Sequence, residues 1–399
     1  MIAPGPTRLS PGRRYSAHSR LGLTRRTFPT IPTGGSPVLT AADEYLIHQT
    51  PYTFDHVYTS DRNFYDRYFF NGYRRDGEVY FALAMGAYPN MGVFDAAFSV
   101  VRNGKQRTVR ASRLLGHDRM ESKAGPISVQ VIEPLKKLRV KIAKNQWGIT
   151  ADLVFEARSL PFEEDHFHRE ARNVPVMDYT RMTQHGQWSG KFTIDGQSFN
   201  MGDDTWWGSR DHSWGIRNVG GRDPRGAPPE QMPQFFWNWA PLNFDDLCTL
   251  YTVSEHADGT RWHQSGAAMT PYPEATAQPC EVDHELVFQP GTRWLKSAVI
   301  SMRPNKGREL EIHFQPLYHF LMKGIGYGDA KWGHGMWVGP NEVEGIEYDL
   351  ASEGPMQNLH VQTVSLVTAG RRKGIGIFEV IAMGPHKKYG FKDLMDPAK

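Results

Sequence analysis

Apolar and polar residues alternate along much of this chain with the two-residue period of half-buried strands. The runs Val79–Met85, Ile127–Ile132, Leu138–Ile142, Ile149–Phe155, Leu247–Val253, Leu310–Phe314 and Ile375–Ile381 read as strands. Between such runs stand Asp76-Gly77, Asn103-Gly104, Asp195-Gly196 and Asp258-Gly259. These dipeptides supply the positive φ angles that tight hairpins need, and they predict meandering antiparallel sheet in place of βαβ units. No long amphipathic helix stands out. Short helical turns are expected near Thr40–His48, where Thr40 and Glu44 form a loose cap, and near Ser60–Asp66.

The stretch 220–229, Gly-Gly-Arg-Asp-Pro-Arg-Gly-Ala-Pro-Pro, is the clearest loop. It divides the chain into halves that each hold enough strand runs to close a barrel, which removes exposed edges. The expected architecture is all-β, with tandem antiparallel barrels over 43–220 and 221–399. A boundary before Trp188 is the alternative. Ahead of them, 1–42 carries six Arg and no acidic residue and reads as a flexible, untargeted extension.

The formal charge of +3 belongs to that extension; the rest of the chain holds 40 basic against 43 acidic groups. Such a body does not look like a nucleic-acid binder. No run approaches the roughly 18 apolar residues of a spanning helix, so stable membrane insertion is not expected. Cys248 and Cys280 form neither a disulfide framework nor a zinc spacing, and a cytoplasmic location is the default. A homodimer is compatible with the sequence.

Aromatic residues make up 12% of the chain, and 11 are Trp, a surplus that suits a ligand cavity. The densest chemistry lies in 202–217, Gly-Asp-Asp-Thr-Trp-Trp-Gly-Ser-Arg-Asp-His-Ser-Trp-Gly-Ile-Arg. Charged groups among large indoles fit a polar-lined apolar site better than a plain core or a plain surface. If 210–215 is extended, alternation puts Arg210, His212 and Trp214 on one face and Asp211 and Ser213 on the other. The first face would offer a cation, a titratable imidazole and an indole, and His212 is then the natural proton carrier. Asp211 suits an ion pair with Arg217 or with an Arg of the other barrel. A purely structural ion-pair network of Arg210, Asp211 and Arg217 is the competing reading. Asp203-Asp204 could form a carboxylate pair, with Asp204 as the reactive member, or could simply sit in a loop.

His166-Phe-His168 places two imidazoles on one face of an extended segment, with Glu163, Glu164 and Asp165 beside them. The stretch reads as a solvated charged loop, and no metal is expected. The glycine-rich stretches 324–328 and 374–376 lack a dinucleotide fingerprint, and there is no Walker sequence or nucleophile elbow, so no cofactor is expected. Glu379, late in an apolar strand, should be paired, most simply with an Arg. His334 is a comparable candidate in an aromatic loop.

The octapeptide Arg210-Asp-His-Ser-Trp-Gly-Ile-Arg217 resembles the signature of the hydroxyneurosporene synthase (carotenoid 1,2-hydratase) and AttH-like family. Phe235-Phe-Trp-Asn-Trp239, Leu250-Tyr-Thr-Val253 and the closing Gly-Ile-Phe-Glu379 with Gly-Pro-His386 are similar to further parts of its pattern. The run Ser60–Gly72 resembles a bacterial subgroup. The resemblance implies two lipocalin-like barrels and chemistry without a bound cofactor, such as protonation of an isoprenoid double bond followed by addition of water, or cyclisation. It carries His212 and Trp214 over as matching positions. The family's acid and Tyr on the next strand have no counterpart in 237–246, where the first acidic residue is Asp245.

The expected function is a cofactor-independent lyase of the hydratase or carbonyl-releasing kind. It would act by acid–base chemistry on a small hydrophobic isoprenoid or aromatic alcohol or alkene at the barrel junction. The catalytic set is His212, Arg210, Asp211, Arg217 and Asp204. Trp207, Trp214, Trp237, Trp239 and Glu379 would hold the substrate. A lipocalin-like carrier and an isomerase or cyclase are the alternatives.

Overall fold

The computed structural model describes residues 39–171, 173–202, 205–220 and 233–399. Residues 1–38, Arg172, Asp203, Asp204 and 221–232 lie outside the described residues. Leu39–Lys399 form one compact unit.

All the long elements are strands. The first thirteen are β1 (Phe64–Arg74), β2 (Tyr80–Tyr88), β3 (Val93–Arg102), β4 (Lys105–Leu114), β5 (Lys123–Ala124), β6 (Ile127–Glu133), β7 (Lys137–Ile142), β8 (Ile149–Ala157), β9 (Phe162–Glu163), β10 (Phe167–Ala171), β11 (Val174–Ile194), β12 (Gln197–Met201) and β13 (Trp206–Arg217). The others are β14 (Phe235–Phe244), β15 (Cys248–Glu255), β16 (Arg261–Thr270), β17 (Thr276–Phe288), β18 (Leu295–Pro304), β19 (Leu310–Leu321), β20 (Asn341–Asp349), β21 (His360–Ala369) and β22 (Arg372–Met383). The four Asx-Gly dipeptides turn the hairpins β1–β2, β3–β4, β11–β12 and β15–β16. Asn103 and Asp195 adopt φ of 50° and 52°, each followed by a glycine at positive φ, as mirror-image turns demand. At the start of the compact unit, Ala41–Glu44 form a 3₁₀ turn capped reciprocally by Thr40 and Asp43 rather than Glu44. Ser60–Asp66 is not helical: it leads through a turn directly into β1, whose aromatic residues favour extended pairing.

Strands β14–β19, β21 and β22 close an eight-stranded antiparallel barrel. The earlier strands form one sheet in the order β4-β3-β2-β1-β13-β11-β8-β7-β6-β5, and it nearly closes as well. Arg113 of β4 donates to the Lys123 carbonyl at the far edge. Strand β20 joins this first sheet beside β4, although it lies within 221–399, the range expected to form the second barrel. The edge β4 would otherwise expose unpaired backbone groups, and β20 covers it. The second barrel loses nothing, because β19 pairs directly with β21.

Each sheet encloses its own apolar core. Phe70, Phe81, Phe98, Phe155 and Trp188 lie inside the first; Phe236, Tyr251, Phe314 and Phe378 lie inside the second. A third layer, with Phe69, Tyr80, Trp207, Trp237, Trp239, Phe320 and Ile377, packs the outer face of the barrel against the first sheet. The three layers together bury far more apolar surface than one barrel would, so the two sheets hold each other in place.

Candidate functional site at the sheet junction

Strand β13 is central to the first sheet, between β1 and β11. Two glycines permit that position. A Cβ on Gly208 would lie 2.1 Å from the Asn71 carbonyl oxygen, and one on Gly215 would lie 2.4 Å from that of Asp178. Gly215 also has φ +134°, a region that side-chain-bearing residues rarely adopt. The strand is therefore extended, and its residues alternate as expected.

The face that looks into the junction is the Asp211 face. It aligns Arg67 of β1, Ser213 of β13 and Arg181 of β11 in one row and Phe69, Asp211 and Thr183 in the next, with Tyr65 and Tyr179 flanking Gly215 and with Arg217 beyond them. Opposite stand Trp237 and Trp239 of β14, with Glu379 in register with Trp239. Asp211 thus shares this layer with both tryptophans and Glu379.

Arg210, His212 and Trp214 point the other way. Arg210 is buried, donates to Gln184 at 3.0 Å and has its pKa lowered to about 10, chiefly by burial. His212 sits 2.7 Å from the Asp66 carboxylate, beside Tyr68 and Trp214. Trp214 is 39% exposed. The expectation that these three would share the junction with Trp237, Trp239 and Glu379 is therefore corrected: the inter-sheet packing chose the odd-numbered face. Trp207 does face the junction, but it is clamped between the guanidiniums of Arg75 and Arg158, 3.9 and 4.2 Å from the ring centroid. Arg158 in turn donates to Asn243 and to the carbonyls of Phe244 and Asp245, so this stack ties the two sheets together.

At the junction three arginines are distributed unequally. Arg181 donates from Nε and Nη2 to both oxygens of Glu164, at 2.8 and 2.6 Å, and Thr183 adds a third hydrogen bond. The Arg181 guanidinium also lies 5.3 and 5.6 Å from the rings of Trp237 and Trp239. Arg67 and Arg217 both donate to the Tyr327 hydroxyl, at 2.6 and 3.3 Å, so the Tyr327 oxygen accepts twice and its own proton is free for another acceptor.

Asp211 makes no hydrogen bond within the described residues. Burial pushes its pKa up to about 6, against the pull of Arg181 and Arg67 and with the push of Glu164 and Glu379. Its side chain is half-buried rather than fully enclosed. Such a group is held close to neutrality of pH, where it can give or take a proton. An ion pair with Arg217, one of the expected arrangements, is not formed.

Glu379 is paired with a histidine, not an arginine. His360 Nε2 lies 2.5 Å from Glu379 Oε1, Gln362 donates to Oε2 at 2.6 Å, and Tyr80 donates to Gln362. With both oxygens engaged, the carboxylate fixes the orientation of the His360 ring, which packs against Tyr327 at 4.5 Å between centroids. The indole N–H groups of Trp237 and Trp239 are buried and have no acceptor among the described residues. Buried donors of this kind are costly unless a ligand completes them. Nearby, His334 gives Nδ1 to the Gly326 carbonyl at 3.0 Å, and burial with Arg67 and Arg217 drives its pKa well below the usual range, so its ring is neutral.

No local sequence pattern marks Arg67, Arg181, Tyr327 or His360 as site residues, and Glu164 stands out only as one of the acids near His166. Tyr327 lies in the glycine-rich stretch 324–328, which lacks a dinucleotide fingerprint. Arg67 and Arg181 carried no local signal, because only strand register brings them beside Asp211.

Several solved structures resemble this chain. An AttH-type protein from Nitrosomonas europaea is 15% identical, covers 80% of this chain and 92% of its own, and has a TM-score of 0.48. Kievitone hydratase from Nectria haematococca is 8% identical over 79% and 88%, with a TM-score of 0.41. CghA with Sch210972 is 12% identical over 80% and 89%, with a TM-score of 0.46. No curated protein matches. A family model matches residues 39–392, and the chain therefore belongs to that family, the family of unknown function DUF8625.

Proposed function

We propose that this protein is a lyase that adds or removes water at the sheet junction, with a small hydrophobic alcohol or alkene as substrate. The observation that supports this most is Asp211: a carboxyl with no hydrogen-bond partner among the described residues, its pKa pushed up to about 6, beside Phe69 in the layer that holds two indoles. The proton-transfer role expected of His212 passes to Asp211, because His212 lies on the opposite face of β13.

In the dehydrating direction, protonated Asp211 gives its proton to the substrate hydroxyl, the C–O bond breaks and water leaves. His360, oriented by Glu379, takes a proton from the adjacent carbon, and its electron pair forms the double bond. Solvent returns the proton from His360 to Asp211, and addition of water is the reverse. Positive charge developing on carbon is stabilised by the faces of Trp237 and Trp239. Tyr327, held by Arg67 and Arg217, donates to a second oxygen of the substrate and orients it. General acid and general base steps of this kind contribute about 10²–10⁴-fold each.

The test is incubation with panels of terpenoid and aryl alcohols and alkenes, followed by mass spectrometry. Gain or loss of water that disappears in Asp211→Asn supports the proposal. Tight binding of an unchanged ligand would identify a carrier instead, and a chromatographic shift at constant mass an isomerase or cyclase.

A further inference from the structure

The other face of β13 carries a second constellation, independent of the junction chemistry. His166 and His168 precede and open β10, and Asp178 of β11 lies in register with His168. Both imidazoles converge on one carboxylate oxygen: His166 Nε2 is 2.7 Å and His168 Nδ1 is 3.8 Å from Asp178 Oδ1. The three ligand-type atoms lie within 4.8 Å of one another. A carboxylate has lone pairs for both imidazoles, as Asp55 has for His56 and His117, so a ligand role needs a second feature.

The outer nitrogens supply it. His166 Nδ1 lies 3.4 Å from Thr180 Oγ1, and His168 Nε2 lies 3.3 Å from Glu170 Oε1. Each ring thus turns one nitrogen toward the shared oxygen and the other toward an outer oxygen acceptor. Metal-binding histidines are oriented in this way. The backbone that carries them is anchored from behind: Phe167 is fully buried and stacks on Tyr179 and His263, 4.4 and 3.5 Å between centroids.

We infer that His166, His168 and Asp178 bind a divalent transition-metal ion, with zinc the best match to two imidazoles and one carboxylate. The third ligand is Asp178, not any of the neighbouring acids Glu163, Glu164 and Asp165; Glu164 is committed to Arg181. Ligand atoms at about 2.0–2.2 Å from a tetrahedral ion lie about 3.4 Å apart, so the ion would open the His166–Asp178 contact of 2.7 Å and draw His168 in from 3.8 Å. Three protein ligands leave a coordination position open. His166 and Asp178 also line a recess of about 450 Å³ that includes Tyr58, Asp66, Thr180 and Trp214. The open position therefore has room for water or for an anionic or hydroxylated small molecule. Trp214, in register with Thr180, lies on the same wall and reports on occupancy.

The experiment is calorimetric titration of the tag-free, chelator-treated full chain with zinc ion, and with cobalt ion read by its visible absorption. The expected result is one equivalent bound with a Kd of about 10 μM or tighter, with tetrahedral or five-coordinate cobalt bands. His166→Ala and Asp178→Asn should each weaken binding by about 100-fold, and Thr180→Val by about 10-fold. All three variants should keep the metal-free melting temperature, since these side chains lie at a half-exposed surface. Absence of stoichiometric uptake by the native chain, or uptake unchanged in His166→Ala and Asp178→Asn, would overturn the assignment.

Discussion

Arg181 gives its bidentate fork to Glu164 and not to Asp211, although all three are gathered in one buried layer. The pairing satisfies one carboxylate and leaves the other carboxyl poised. Replacing Glu164 with Gln should release Arg181 toward Asp211. Because breaking a buried pair strands a charge, the loss of stability should be about 3–5 kcal/mol by denaturant titration. For dehydration, the loss of activity that accompanies deprotonation of Asp211 as pH rises should move to lower pH, as Arg181 now favours the ionised Asp211.

Asp211→Asn should separate catalysis from stability. The Asp211 pKa is raised above its ordinary value of 3.8, so the folded state holds this proton more tightly than the unfolded chain does. Its contribution is fully present below about pH 4 and is lost as pH rises through about 6. Asn mimics the protonated form and carries no such loss. The variant should match the native chain near pH 4 and exceed it by about 1–3 kcal/mol near pH 8, while turnover falls at least about 100-fold. Thermal unfolding at the two pH values checks the sign. Asp95, also raised to about 6 by burial, retains its own pH dependence in both proteins.

Glu379→Gln removes the acceptor that orients His360. A positioning role predicts a fall in kcat of about 10–100-fold with KM nearly unchanged, since the substrate-facing indoles remain. A purely structural role would raise KM or lower the melting temperature instead.

His212→Ala should leave junction turnover within about threefold of native, because the side chain projects from the opposite face of β13 toward Asp66 and Tyr68. Steady-state kinetics on the substrate identified by mass spectrometry decide this directly. A loss comparable to that of Asp211→Asn would return the chemistry to the His212 face.

Much of the architecture was legible in the chain because it is encoded locally. The hairpins at Asp76-Gly77, Asn103-Gly104, Asp195-Gly196 and Asp258-Gly259 follow from backbone angles that those dipeptides favour. The alternation of β13 was legible for the same reason, and so was the separation of Asp211 from His212. Which of its faces meets the second sheet was not, because both carry charge and indole. The choice depends on packing between strands far apart in sequence, as between Trp239 and Phe69, the register partner of Asp211. The same holds for the partner of Glu379, supplied by His360 on the neighbouring strand β21, and for β20, whose place beside β4 depends on an edge more than 220 residues upstream.

The central claim is that Asp211 carries the proton. Infrared difference spectra of native protein minus Asp211→Asn, recorded from about pH 4 to pH 8, test it most directly. The account predicts a protonated-carboxyl band, absent from the variant, that titrates away with a midpoint near 6 and in step with the loss of turnover. A carboxylate already ionised at about pH 4.5, or a turnover profile that ignores this titration, would contradict it.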